Sequence, residues 1–164
     1  MGRAADRCRF RCPASSRGMP KRFTHAEAQQ LLPEVGRLLR EALDAKSAYQ
    51  EAEKTIQGLT ERVMMMGGVI VDRDRALESR SRRDAAAATL KSAIEAVQET
   101  GCLVKDLDIG LVDFPTLFKG TEVYLCWKLG EPAIEFWHGV EEGFRGRKPI
   151  DQEFLNNHRG DRAH

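Results

Sequence analysis

The sequence predicts an α+β domain in which a long antiparallel helical hairpin, coiled-coil-like in its apolar repeat, packs on a small antiparallel meander of three to four strands. Three observations carry this. Apolar residues recur at alternating steps of three and four from Val35 to Val63, paired glycines at Gly67-Gly68 then break the repeat, and after Gly101 the pattern changes to β-branched and aromatic residues punctuated by Gly and Pro. The chain has 164 residues and 18.4 kDa, one domain's worth of sequence.

Thr24-His25-Ala26-Glu27 fits a capping box, in which the Thr hydroxyl accepts from the Glu27 amide and the Glu27 carboxylate accepts from the Thr24 amide. Pro33 lies too far in for the first turn, so a break there is expected, with a second and longer helix beginning at the proline. Its seam is Val35, Leu38, Ala42, Ala45, Tyr49, Ala52, Ile56, Leu59 and Val63. The alanines in that seam admit a neighbouring helix closely, either the next helix or another chain. Asp72 or Asp74 can cap a return helix to about Thr100, with Leu77, Ala87, Leu90, Ile94 and Val97 as its apolar positions. At about 1.5 Å per residue the two helices run roughly 50 and 40 Å and can lie side by side. The tip, Val63 to Val71, is apolar and Met-rich, which suits a packed turn or a dimer contact.

Strands are expected near Leu111 to Phe118, Glu122 to Lys128 and Ala133 to His138, with Leu103 to Leu107 as a candidate fourth. Lys119-Gly120 makes the first turn and Leu129-Gly130-Glu131-Pro132 the second. Counting back from these turns sets Phe118 opposite Thr121 and Lys128 opposite Ala133. One face then collects Val112, Trp127 and Ile134, then Phe114, Leu125 and Phe136, then Thr116, Val123 and His138, and belongs on the hairpin. The other face collects Asp113, Cys126 and Glu135, then Pro115, Tyr124 and Trp137. Carboxylates, a thiol and large aromatics are not a solvated face. Either the following segment covers it, with Phe144 on the aromatics and Arg145 or Arg147 on the carboxylates, or it receives a ligand or partner. His138 falls on the core face by alternation; a bulge at Trp137 would turn it outward beside Glu135. His25, beside the capping box, is expected to face solvent.

The division expected is a disordered or mis-started leader over 1–18, a single domain over 19–150 and a disordered tail over 151–164. Within the domain, the hairpin spans 24–100, the meander 102–140 and the covering segment 141–150. The leader carries five Arg and one Asp, so the rest of the chain has 21 basic against 24 acidic residues. Near-neutral charge, 26 Lys and Arg against 25 Asp and Glu, argues against nucleic acid as a partner. The longest apolar run has nine residues, short of the roughly 20 that span a bilayer, so no membrane role is expected. Four cysteines (8, 12, 102 and 126) are too few for a disulfide framework, and a reducing cytoplasm is the expected setting. No phosphate loop, nucleophile elbow or metal-ligand spacing is present, so no cofactor, metal or catalytic residue is assigned.

These residues carry a resemblance. Phe23-Thr24, Glu27-Ala28, Leu31-Leu32-Pro33, Gly110-Leu111-Val112-Asp113-Phe114-Pro115, Val123-Tyr124-Leu125-Cys126-Trp127, Gly130-Glu131, Trp137-His138, Gly143-Phe144 and Gly146-Arg147 are similar to the family called domain of unknown function 2203, over about residues 22–150. The resemblance implies a small bacterial cytosolic protein of uncharacterised activity, and brings no catalytic residues with it.

Two readings of function follow. The first is a non-enzymatic interaction module that self-associates as a homodimer or binds another protein. Its binding surface is the outer sheet face, with Asp113, Tyr124, Cys126, Glu135, Trp137, His138, Arg145 and Arg147. The alternative is a metal- or anionic-small-molecule-binding enzyme, a hydrolase or isomerase, with Asp113 and Glu135 as acid-base groups and Arg145 and Arg147 on an anion.

Overall fold

A computed structural model describes residues 21–67 and 72–161. The leader, the last three residues and the far side of the hairpin turn lie outside the described residues. Helix α1 (His25–Met65) and helix α2 (Arg73–Glu99) form the hairpin. Strands β1 (Leu103–Asp106), β2 (Leu111–Phe118), β3 (Thr121–Lys128) and β4 (Phe136–Gly139) follow in antiparallel succession. Beyond a 3₁₀ turn (Phe144–Gly146) come β5 (Lys148–Pro149), helix α3 (Gln152–Asn157) and β6 (His158–Arg159). Sheet order is β1-β2-β3-β4-β5, with β6 paired to β2. The fold is the α+β arrangement expected, with two more short strands.

The capping box is present: the Thr24 hydroxyl accepts from the Glu27 amide at 3.2 Å, and Glu27 accepts from the Thr24 amide at 2.8 Å. The expected break at Pro33 does not occur, and α1 runs through it. Proline removes one helical hydrogen bond at a cost of about 3 kcal/mol. Burial of Leu32, Val35, Gly36, Leu38 and Leu39 around it offsets that cost and holds both sides on one axis.

The α1 seam is buried or half-buried throughout. On α2 the expected phase is corrected in its first half: Leu77 and Ala87 are exposed, and the inward line is Ser79, Arg83, Ala86, Leu90, Ala93 and Val97. These positions keep alternating steps of four and three, so geometry holds although the residues are small or polar. Asp72 is the N-cap, its carboxylate accepting from the Arg75 amide at 3.0 Å.

The core lies between the first four turns of α1, the end of α2 and one sheet face. Val35, Leu39 and Val97 meet Val112, Phe114, Leu125 and Trp127 there, and Phe23 sets its ring edge-on to Phe114. The tail, expected to be disordered, is instead part of this core. Phe154 of α3 is fully buried and stacks on Phe118, Trp137 and His158. It is held by an N-cap in which Asp151 accepts from the Phe154 amide at 2.8 Å. The tail also clasps the start of α1: the His25 amide donates to His158 Nε2 at 2.9 Å, and the Asp161 amide donates to the Arg22 carbonyl at 3.0 Å. Gly160 lies so close that an added Cβ would stand 2.6 Å from the Thr24 nitrogen.

Candidate functional site

The β2–β3 register is the expected one, and it sets Asp113 opposite Cys126 and Pro115 opposite Tyr124 on the face away from the hairpin. The turn explains why it was readable. Lys119 and Gly120 both have positive φ, +50° and +82°, as a two-residue hairpin whose twist matches its strands requires.

The β3–β4 register departs from expectation by one residue, with Tyr124 opposite His138, Leu125 opposite Trp137 and Cys126 opposite Phe136. A one-residue slip exchanges the faces of a strand. His138 and Phe136, expected in the core, therefore lie on the outer face, and Trp137 turns inward onto Phe118 and Phe154. The cause is α1. The Gln29 side chain accepts from the Ile134 amide at 3.0 Å, and His25 Nε2 donates to the Ile134 carbonyl at 2.8 Å. These bonds draw Ile134 into the core and out of the ladder, so pairing restarts at Phe136 with opposite parity. They also correct the expectation that His25 faces solvent.

Three of the expected site residues converge as a result. One ligand atom each of Asp113, Cys126 and His138 lies within 4.8 Å of the others. His138 Nε2 is 3.1 Å from Asp113 Oδ2, and His138 Nδ1 donates to the Gly139 carbonyl at 2.8 Å. Tyr124 sets its ring edge-on to His138 at 5.6 Å between centroids. Lys105, which sequence reasoning missed, places its ammonium 3.9 Å from Asp113 Oδ2 and 4.7 Å from the Tyr124 ring centre. Its face could not be counted from the sequence, because the β1–β2 register is irregular between Val104 and Asp106, at Lys105 itself.

The remaining expected residues do not join. Glu135 is exposed and precedes β4, where its carbonyl accepts from the Ile150 amide. Arg145 is exposed. Arg147 covers the face, but on a different carboxylate from the two expected: it binds Glu131 through both terminal nitrogens, at 2.8 and 2.7 Å, and lies between the rings of Phe136 and Phe144. Burial alone would raise the Glu131 carboxyl, but the Arg147 bonds together with the hydrogen bond donated by the Lys128 amide outweigh it and hold Glu131 below its ordinary range.

The cluster is closed, with Asp113, Cys126 and His138 at 1%, 0% and 2% exposure. Burial, and after it the charge of Asp113, pushes the Cys126 thiol up to about 12, so at neutral pH it keeps its proton and is a poor nucleophile. Asp113 Oδ1 is buried with no hydrogen-bond partner among the described residues.

The match to known proteins covers this whole arrangement. A family model described as an uncharacterized conserved protein (DUF2203) matches residues 21–150, which hold the hairpin, β1 to β5 and all three clustered side chains. The chain belongs to the DUF2203 family. The DUF2203 match ends before α3 and β6, so the aromatic plug of Phe154 lies beyond it. No curated protein and no solved structure matches the chain. Among the described residues, no helix is long and apolar enough to cross a membrane.

Proposed function

We propose that this DUF2203 chain is a non-enzymatic interaction module that pairs with a second copy of itself along one side of its hairpin. One observation carries the reading, a groove of about 910 Å³ between α1 and α2 with a floor of small side chains, among them Ala45, Ala48, Ala52 and Ala86. Small residues let another helix approach closely. Arg37 and Arg40 line the groove at the end nearer the sheet, where Arg37 is paired with Glu34 and Glu41 of its own helix, while Asp44 and Glu51 follow toward the tip with Arg82 of α2. A second copy laid antiparallel about a two-fold axis sets each copy's Arg40 toward the other's Asp44 and Glu51, a self-complementary pairing of the kind an isologous contact needs.

Enzymatic chemistry on the sheet has less support, since the Asp113 cluster is closed and Arg147 is engaged with Glu131. Ala48 is exposed in the single chain, so Ala48→Arg leaves the fold intact while blocking the groove. Light scattering should give a dimer for the parent and a monomer for the variant, with equal helical dichroism. A parent that stays monomeric up to millimolar concentration, or a variant that stays dimeric, rejects the groove as the contact.

A further inference from the structure

The buried Asp113–Cys126–His138 cluster has a chemistry that self-association does not use, and a comparison of two histidines exposes it. His158 is satisfied by main chain alone: Nδ1 donates to the Leu155 carbonyl at 2.9 Å, and Nε2 accepts from the His25 amide at 2.9 Å. His138 is not. The Gly139 carbonyl can only accept, so Nδ1 carries the hydrogen and Nε2 is left with its lone pair toward Asp113 Oδ2, 3.1 Å away. Two lone-pair atoms at that distance need a cation between them, a proton or a metal ion. The other carboxylate oxygen, Oδ1, is buried and unpartnered among the described residues, and the Cys126 sulfur completes the set.

We propose that Asp113, Cys126 and His138 bind a divalent transition-metal ion, zinc being the best match. Size fits, because tetrahedral zinc with bonds of about 2.0–2.3 Å sets its ligand atoms about 3.3–3.8 Å apart. The cluster, with a 3.1 Å pair and all three atoms within 4.8 Å, brackets that range. Donor type fits as well: a thiolate and an imidazole favour zinc or cobalt and disfavour calcium and magnesium, which take oxygen ligands. The carbonyl on Nδ1 is the partner that orients a ligating histidine and aims Nε2 at the metal. Asp113, Cys126 and His138 sit on three adjacent strands, β2, β3 and β4, so the ion would stitch the sheet across its outer face.

The test uses the full chain with Cys8→Ser and Cys12→Ser, which leaves Cys102 and Cys126 as its thiols. After chelator treatment it is titrated with cobalt(II) and then zinc(II). We expect one equivalent of cobalt and a thiolate-to-cobalt charge-transfer band, both displaced by zinc. Cys126→Ser should abolish the band and Cys102→Ser should keep it. His138→Gln and Asp113→Asn should weaken binding at least about 100-fold. Circular dichroism confirms that each variant is folded. A folded parent with neither a cobalt band nor a metal-dependent thermal shift overturns the proposal without any variant, and so does a band that survives Cys126→Ser. The dimer assay on the same protein is independent, so failure of one proposal leaves the other standing.

Discussion

The sheet body and the distal hairpin are built on opposite principles. In the body, Phe23, Phe114, Phe154, Leu125 and Ile134 are almost fully buried, and each draws on residues distant in sequence. Beyond Leu39 the hairpin buries little except Ala42, Ala45 and Ala52 on α1 and Ser79, Ala86 and Ala93 on α2. Its charged pairs are mostly within one helix, such as Arg82 with Glu78, worth a few tenths of a kcal/mol each. Glu53 with Arg83, at 3.0 Å, is a tie between the two helices. The body therefore holds itself together by packing, whereas the arm has the geometry of a helix pair without the apolar area, which is the ground for the proposed pairing with a second copy.

The sharpest way to break this comparison is to empty the body. Phe154→Ala should cost about 3–5 kcal/mol, the usual loss for a buried phenylalanine. Its loss also frees Phe118 and Trp137 from their stack. Chemical denaturation measures it, and a cost below about 1 kcal/mol would mean that the tail is not part of the core.

The arm should answer differently to insult. Ile56→Asp places a charge in the half-buried seam and should cost about 1–3 kcal/mol. Hydrogen exchange should show that loss at α1 and α2 amides between the tip and about residue 45, with Phe114 and Leu125 still protected. Equal loss in both regions would show that arm and body unfold as one unit.

The smallest effect concerns acid. Because Glu131 sits below its ordinary range of about 4.5 in the folded chain, its bonds to Arg147 stabilise the fold fully above that value. The contribution fades as pH falls through the lower folded value. Glu131→Gln should therefore lower stability by about 1–3 kcal/mol at pH 7 and by progressively less in acid. A difference that stays constant from neutral to strongly acid pH would show that the carboxylate charge is not what Arg147 uses.

What could be read from the sequence alone rests on neighbours along the chain. The Thr24–Glu27 capping box and the Lys119-Gly120 turn with its β2–β3 register each depend on atoms a few residues apart, so local chemistry suffices to determine them, and it narrows the α2 cap to Asp72 or Asp74. The pairing of Asp113 with Cys126 was legible for the same reason. The place of His138 was not, because β4 takes its register from Gln29 and His25, more than a hundred residues away. Continuity through Pro33, the inward line of α2 and the burial of Phe154 were likewise decided by packing that no local pattern encodes. Local hydrogen bonds select turns and caps, but which face of a strand meets the core is settled by the other elements that reach it. Only the tertiary structure could bring the third member to the Asp113–Cys126 pair.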